Sequence, residues 1–134
     1  MDGADLNDGG QGDLGLKTTM ANTLEVLGWE IELAAARSIY LDTVIGRMIG
    51  LLPDDRKAEF VESMHTVDLL SQQLTGLSAF TQRMSGDAPD VQAYVHTALN
   101  QISLGALADR MCVALGGVEK GVNDGDGAGD LDLF

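Results

Sequence analysis

The longest periodic feature of the chain is an apolar seam through residues 17–52. Met20, Leu24, Leu27, Ile31, Ala34, Leu41, Ile45, Met48 and Leu52 recur at helical steps, and Ser38 is the polar member of the row. That spacing places side chains on one face of an α-helix. A second row, Val26, Leu33, Tyr40 and Val44, widens the stripe. The pattern predicts a helix of about 35 residues, long for a globular protein. A helix of that length needs neighbours packed along it, as in a bundle. Gly28, Gly46 and Gly50 weaken it locally.

Two further helices are expected. Pro53 ends the first, and Asp54 or Asp55 can cap the next and meets the positive end of its dipole. The second helix should run over 55–84, with a seam of Phe60, Ser63, Val67, Leu70, Leu74, Leu77, Thr81 and Met84. The stretch SGDAPD should break it, and Pro89 is tolerated in a first turn. A third helix over 89–115 would bury Val91, Val95, Ala98, Leu99, Ile102, Leu107 and Met111, and Gly116-Gly117 would stop it. The expected fold class is all-α, a long-helix antiparallel bundle of three main helices. Three helices leave apolar surface uncovered when the first has two apolar rows, so completion by dimerisation is expected.

Charge divides the chain differently. Residues 1–16 and 119–134 are rich in Gly and Asp and read as a disordered acidic arm and a flexible acidic tether, flanking a helical domain at 17–118. The net charge is −13, and four Asp near each end leave −5 for the middle. Such a chain should avoid nucleic acid, whose phosphates attract Lys and Arg, and it suits a partner with a basic or metal-bearing surface. The opening residues lack the basic-then-apolar pattern of a signal peptide. No apolar run reaches the length of a membrane span. A cytoplasmic protein without membrane attachment is expected. The tether ends in Asp130, Leu131, Asp132, Leu133 and Phe134. Large apolar groups after a polar linker suggest a docking peptide, the alternative being that they fold back on the bundle.

Few residues could carry chemistry. Cys112 is the single cysteine and should be buried, so neither an internal disulfide nor a multi-cysteine metal site is possible. His65 and Asp68 are possible ligands without a third at helical spacing, and no metal site is expected. His65 and His96 lack the basic neighbours a phosphotransfer histidine needs. No Gly-rich loop follows a strand, and NDGDGAGD lacks the closing Glu of a calcium loop. Asp68 and Gln72 stand four residues apart, on one side of a helix. Pairs of this kind are common on helix surfaces. If Val67 and Leu70 face inward, both point outward. A carboxamide carries a donor and an acceptor, so it can hold a water in line with a phosphorus atom. A carboxylate beside it could pair with a lysine on another protein and fix the docking geometry.

The stretch DLLSQ (68–72) and the ending GDLDLF (129–134) together resemble the CheZ family of chemotaxis phosphatases. That family carries an Asp-x-x-x-Gln pattern on a long helix and ends in an acidic linker with an apolar peptide closing in Phe. The small alphaproteobacterial members called CheT are similar in size. The resemblance implies that Gln72 orients the water that attacks a phosphorylated aspartate of a CheY-like response regulator. It implies that Asp68 pairs with a regulator lysine and that residues 130–134 tether the regulator. The Mg²⁺ of the reaction would sit on the regulator, and no cofactor of the chain's own is implied. A second alignment, on the LTG at 74–76, puts Gln73 and Leu77 at the two positions and loses both groups. Two other readings stay open: an adaptor that binds a regulator without hydrolysis, and a protein that binds the DNA sliding clamp. For the latter, DLDLF is similar to the clamp-binding Gln-Leu-x-Leu-Phe peptide, with Asp130 in place of Gln.

Overall fold

A computed structural model describes residues 15–118. Two long helices dominate it, α1 (Met20–Ile49) and α2 (Asp54–Asp87). A small cap completes it, made of β1 (Lys17–Thr19), β2 (Gln92–Tyr94), α3 (His96–Leu99) and α4 (Gly105–Ala114). The class is all-α, as expected, and its frame is an antiparallel hairpin of α1 on α2.

The two long helices begin where their end signals lie. Thr19 caps α1 by accepting the Asn22 backbone N–H at 3.1 Å, and the Asn22 side chain donates to Thr18 Oγ1 at 2.8 Å. Pro53 itself holds the cap position of α2, without a side-chain bond. Asp54 and Asp55, expected as candidate caps, instead sit in the first turn, where they meet the positive end of the dipole. Lys57 Nζ pairs with Asp54 Oδ1 at 2.7 Å. At its far end α2 persists through the Ser85-Gly86 pair and stops at Asp87, before Ala88-Pro89.

The seam between the long helices differs from the leucine pattern in its rotation. Leu24 and Ile31 on α1, and Phe60, Val67 and Leu74 on α2, are half-buried, and Thr81 is buried. The other half of each seam is small. On α1 it is Ala21, Gly28 and Ala35; on α2 it is Ser71, Ser78 and Ser85, and each set repeats every seven residues. Ser78 Oγ donates to the Gly28 carbonyl at 3.0 Å, and Ser85 Oγ donates to the Ala21 carbonyl at 2.8 Å. A Cβ on Gly28 would stand 3.0 Å from Gln82 Cγ. Small residues bring the two backbones together and turn Leu70, Leu77 and Met84 out, at 44%, 52% and 44% exposure. Asp42 takes the next seven-residue step on α1, and its buried Oδ1 has no partner among the described residues.

The expected third helix is broken into β2, α3 and α4, and the cap core gives the reason. Val26, Val95, Leu99 and Leu115 form the buried cluster, with Leu16, Ile102, Met111 and Cys112 packed on it. In one straight helix Val95 and Leu115 would lie about 30 Å apart, at 1.5 Å per residue. Only a folded segment brings both to Val26. The β-branched and aromatic stretch Val91–Val95 instead extends and pairs antiparallel with β1, Thr18 facing Ala93. Val95 N–H donates to the Leu16 carbonyl at 3.0 Å, and Met20 N–H to that of Val91 at 2.8 Å. Gly15 and Leu16, expected within the acidic arm, and Lys17–Thr19, expected as helix, thus join the cap. Gly15 has φ +71°, and a Cβ there would collide with the His96 ring.

Arg110 fastens α4 to α1. Its Nη2 and Nε donate to Glu30 Oε2 and Oε1 at 2.7 and 3.2 Å. These bonds, helped by the Glu30 charge and opposed by some burial, hold the guanidinium above its ordinary value. Among the described residues no helix is long and apolar enough to cross a membrane.

Candidate functional site

Asp68 and Gln72 both lie on the exposed side of α2. Gln72 Nε2 donates to Asp68 Oδ2 at 2.8 Å. One of the amide's two N–H donors is thereby engaged on an exposed side chain. The carboxylate keeps lone pairs for an incoming cation. The neighbouring seam residues Val67 and Ser71 face α1, and Ser71 Oγ folds back on the Val67 carbonyl at 2.9 Å. This packing fixes the helix rotation that presents the pair.

The surface one turn further along is shallow and small-featured. Thr75, Ser78, Ala79 and Gln82 on α2 meet Glu32, Ala35, Ala36 and Ile39 on α1 around a depression of about 340 Å³. Thr75 and Ala79 follow Gln72 by three and seven residues and share its face. Gln82 Nε2 bridges the helices, donating to Glu32 Oε2 at 3.3 Å and to Ser78 Oγ at 3.2 Å. This flank carries acids and amides around alanines, which leaves room for a partner helix to approach closely. Sequence reading missed Glu32 and Gln82, because they come from different helices and meet only through the hairpin.

Gln73 and Leu77, the residues of the second alignment, are also exposed. A five-residue step turns a helix roughly 140°, so the Gln73–Leu77 surface is a different flank from that of Asp68 and Gln72. It continues into Leu70 and Met84, both apolar. The polar pair and the apolar flank therefore occupy opposite sides of α2.

The other candidates lie apart. His65 is exposed. His96 Nε2 lies 3.2 Å from Asn100 Nδ2, in the cap. Cys112, expected to be buried, is half-buried against Leu16 and Gly117, because the cap core is thin where the chain leaves α4. Among the described residues no group of three or more His, Cys, Asp and Glu could hold a metal ion. Asp130, Leu131, Asp132, Leu133 and Phe134 lie outside the described residues, as do 1–14 of the acidic arm.

A second concavity opens on the other side of α1. It is an apolar groove of about 410 Å³ between α1 and α4, walled by Leu27, Ile31, Leu104, Leu107 and Met111 and flanked by Arg37 and Arg110.

Comparison with known proteins gives a family and no activity. A family model described as a domain of unknown function (DUF8776) matches residues 16–134. The match opens at Leu16, the first residue packed on the cap core, and runs through the acidic ending. No curated protein and no solved structure matches the chain.

Proposed function

We propose that this chain, which belongs to the DUF8776 family, is a cytoplasmic CheZ-like phosphatase of a phosphorylated CheY-type response regulator. The observation that carries the reading is the Asp68–Gln72 pair, exposed, hydrogen-bonded at 2.8 Å, and beside a small-residue depression. Binding would exchange the bond between the two side chains for partner contacts. Asp68 would take a regulator lysine, and Gln72 would be released to hold a water in line with the phosphorus. The water attacks phosphorus, the bond from phosphorus to the aspartyl oxygen breaks, and the regulator carboxylate and inorganic phosphate leave. The Mg²⁺ that offsets charge on the phosphoryl oxygens belongs to the regulator. Gln72 is too weak a base to remove a proton, so it supplies positioning alone. Residues 130–134 would tether the regulator and raise its local concentration.

A homodimer forms part of this reading. Five apolar residues are buried among those described, whereas 20 large apolar ones are exposed. That imbalance is what a half-bundle shows before pairing. The exposed row of Leu70, Leu77 and Met84, with Phe80 beside it, lies away from the Asp68–Gln72 face, so pairing leaves the site open.

Binding and turnover measured separately test the assignment. Gln72→Ala should keep regulator affinity and lose dephosphorylation, whereas Asp68→Ala should lose affinity as well. Retention of full turnover in Gln72→Ala removes Gln72 from the site. Binding by wild type without turnover leaves the adaptor reading.

A further inference from the structure

We propose that the apolar groove between α1 and α4 is a peptide-binding site, and that its occupant is the chain's own segment Asp130–Phe134. The groove has the character of such a site. Its volume of about 410 Å³ falls within the common range for ligand clefts, about 300–1,000 Å³. Its walls are aliphatic, from Leu27 and Ile31 on one side to Leu104, Leu107 and Met111 on the other. Two cations flank this apolar strip, Arg37 and Arg110. Arg110 is anchored by Glu30, and Arg37 makes no ion pair among the described residues.

The segment is complementary in both respects. Leu131 and Leu133 alternate with Asp130 and Asp132. In an extended backbone, alternate side chains point to opposite sides. Leu131 and Leu133 can then face the groove while Asp130 and Asp132 turn to its arginine-bearing rim, and the terminal Phe134 lies beyond the alternating pair. The body around 15–118 carries 12 acids against seven bases, so an acidic peptide is repelled by most of this surface. The groove is the exception: its charged lining is Arg37, Arg110 and Glu30, and with Glu30 paired to Arg110 it carries one net positive charge, on Arg37.

Reach and local concentration favour the chain's own segment over a second copy's. Residues 119–129 separate it from Val118, and these 11 residues extend to roughly 36 Å at about 3.3 Å each. The groove wall begins on α4 at Met111, a few residues before the described chain ends. A Gly-rich connection of this length gives an effective concentration in the millimolar range. Above that, a separate molecule would be needed at comparable concentration to compete. Under the phosphatase reading, and resting on it, an occupied groove withholds the docking segment until a regulator arrives.

Methyl NMR of the full chain tests the groove without any regulator. The expected result is that Leu131→Ser/Leu133→Ser/Phe134→Ser shifts the Ile31, Leu107 and Met111 methyl resonances and leaves those of Leu70, Leu77 and Met84 in place. The shifts should be the same across a tenfold protein dilution and in the Phe80→Glu monomer. Leu104→Asp, at a position 61% exposed and so tolerant of charge, should raise the backbone mobility of residues 130–134 to that of a free chain. Groove methyls unmoved by the tail substitutions overturn the proposal. So do shifts confined to the Leu70–Met84 flank, or shifts that vanish on dilution, which would mark a second copy's segment as occupant. None of these outcomes depends on whether the protein dephosphorylates a regulator.

Discussion

Ser78 Oγ donates a 3.0 Å hydrogen bond to the carbonyl of Gly28, from one long helix to the other. Gly28 and Ser78 are each the middle member of a seven-residue series, Ala21–Gly28–Ala35 and Ser71–Ser78–Ser85. The series run antiparallel, so small meets small at every step. This interlock sets the rotation of α2. With Ser71 turned to α1, Asp68 and Gln72 must face solvent on one flank and Leu70 and Leu77 on the other.

Filling the interlock should therefore cost stability. Gly28→Leu places a side chain where even a Cβ stands 3.0 Å from Gln82 Cγ. The expected loss is about 2 kcal/mol from overpacking. That corresponds to a fall in Tm of roughly 8–16 °C for a domain of this size. Ser78→Ala should cost less, about 1 kcal/mol, because the Gly28 carbonyl keeps its helical partner. Denaturant unfolding monitored by circular dichroism orders the two.

The cap has its own sensitive glycine. Gly15→Ala combines a left-handed backbone at φ +71° with a collision at His96. The variant should release Leu16 from the core cluster and lose the Val95 N–H bond to its carbonyl. Hydrogen exchange should then accelerate at Val95, Leu99 and Leu115, and α2 beyond Val67 should stay protected. Unchanged protection at Val95 would contradict the role assigned to Gly15.

The apolar flank should drive self-association. Phe80 is 64% exposed in the single chain. Sedimentation at micromolar concentration should show a dimer for wild type and a monomer for Phe80→Glu, with helicity retained in both. A wild-type protein that sediments only as monomer contradicts the half-bundle account.

The all-α class, the break at Pro53 and the start of α2 were legible because each rests on local signals: helical periodicity, a proline and acids in a first turn. The Thr19 cap was not read, and α2 outlasts its expected end at Met84. The seam was half legible. Leu24, Ile31, Val67 and Leu74 sit where their period puts them. The serines and glycine beside them were not read as interface, because hydrophobicity weights Leu70 and Leu77 above Ser71 and Ser78. Close backbone approach reverses that ranking, and it arises only when two helices meet. The break of the third helix was hidden for a related reason. Residues 89–115 carry an acceptable helical pattern alone, and the demand that Val95 and Leu115 both reach Val26 is tertiary. The exposed setting of Asp68 and Gln72 was legible from spacing. The Glu32–Gln82 bridge beside them, made across 50 residues of sequence, was not.

The central claim rests on Gln72, and one rate measurement addresses it most directly: dephosphorylation of a purified, phosphorylated CheY-type regulator by equal amounts of wild type, Gln72→Ala and Gln73→Ala. Wild type should accelerate phosphate loss over the regulator alone. Gln72→Ala should lose about 100-fold of that acceleration, the scale seen when one positioned hydrogen-bonding group is removed from an active site. Gln73→Ala, on the other flank, should match wild type. Equal rates for wild type and Gln72→Ala, or a loss at Gln73→Ala instead, would contradict the account.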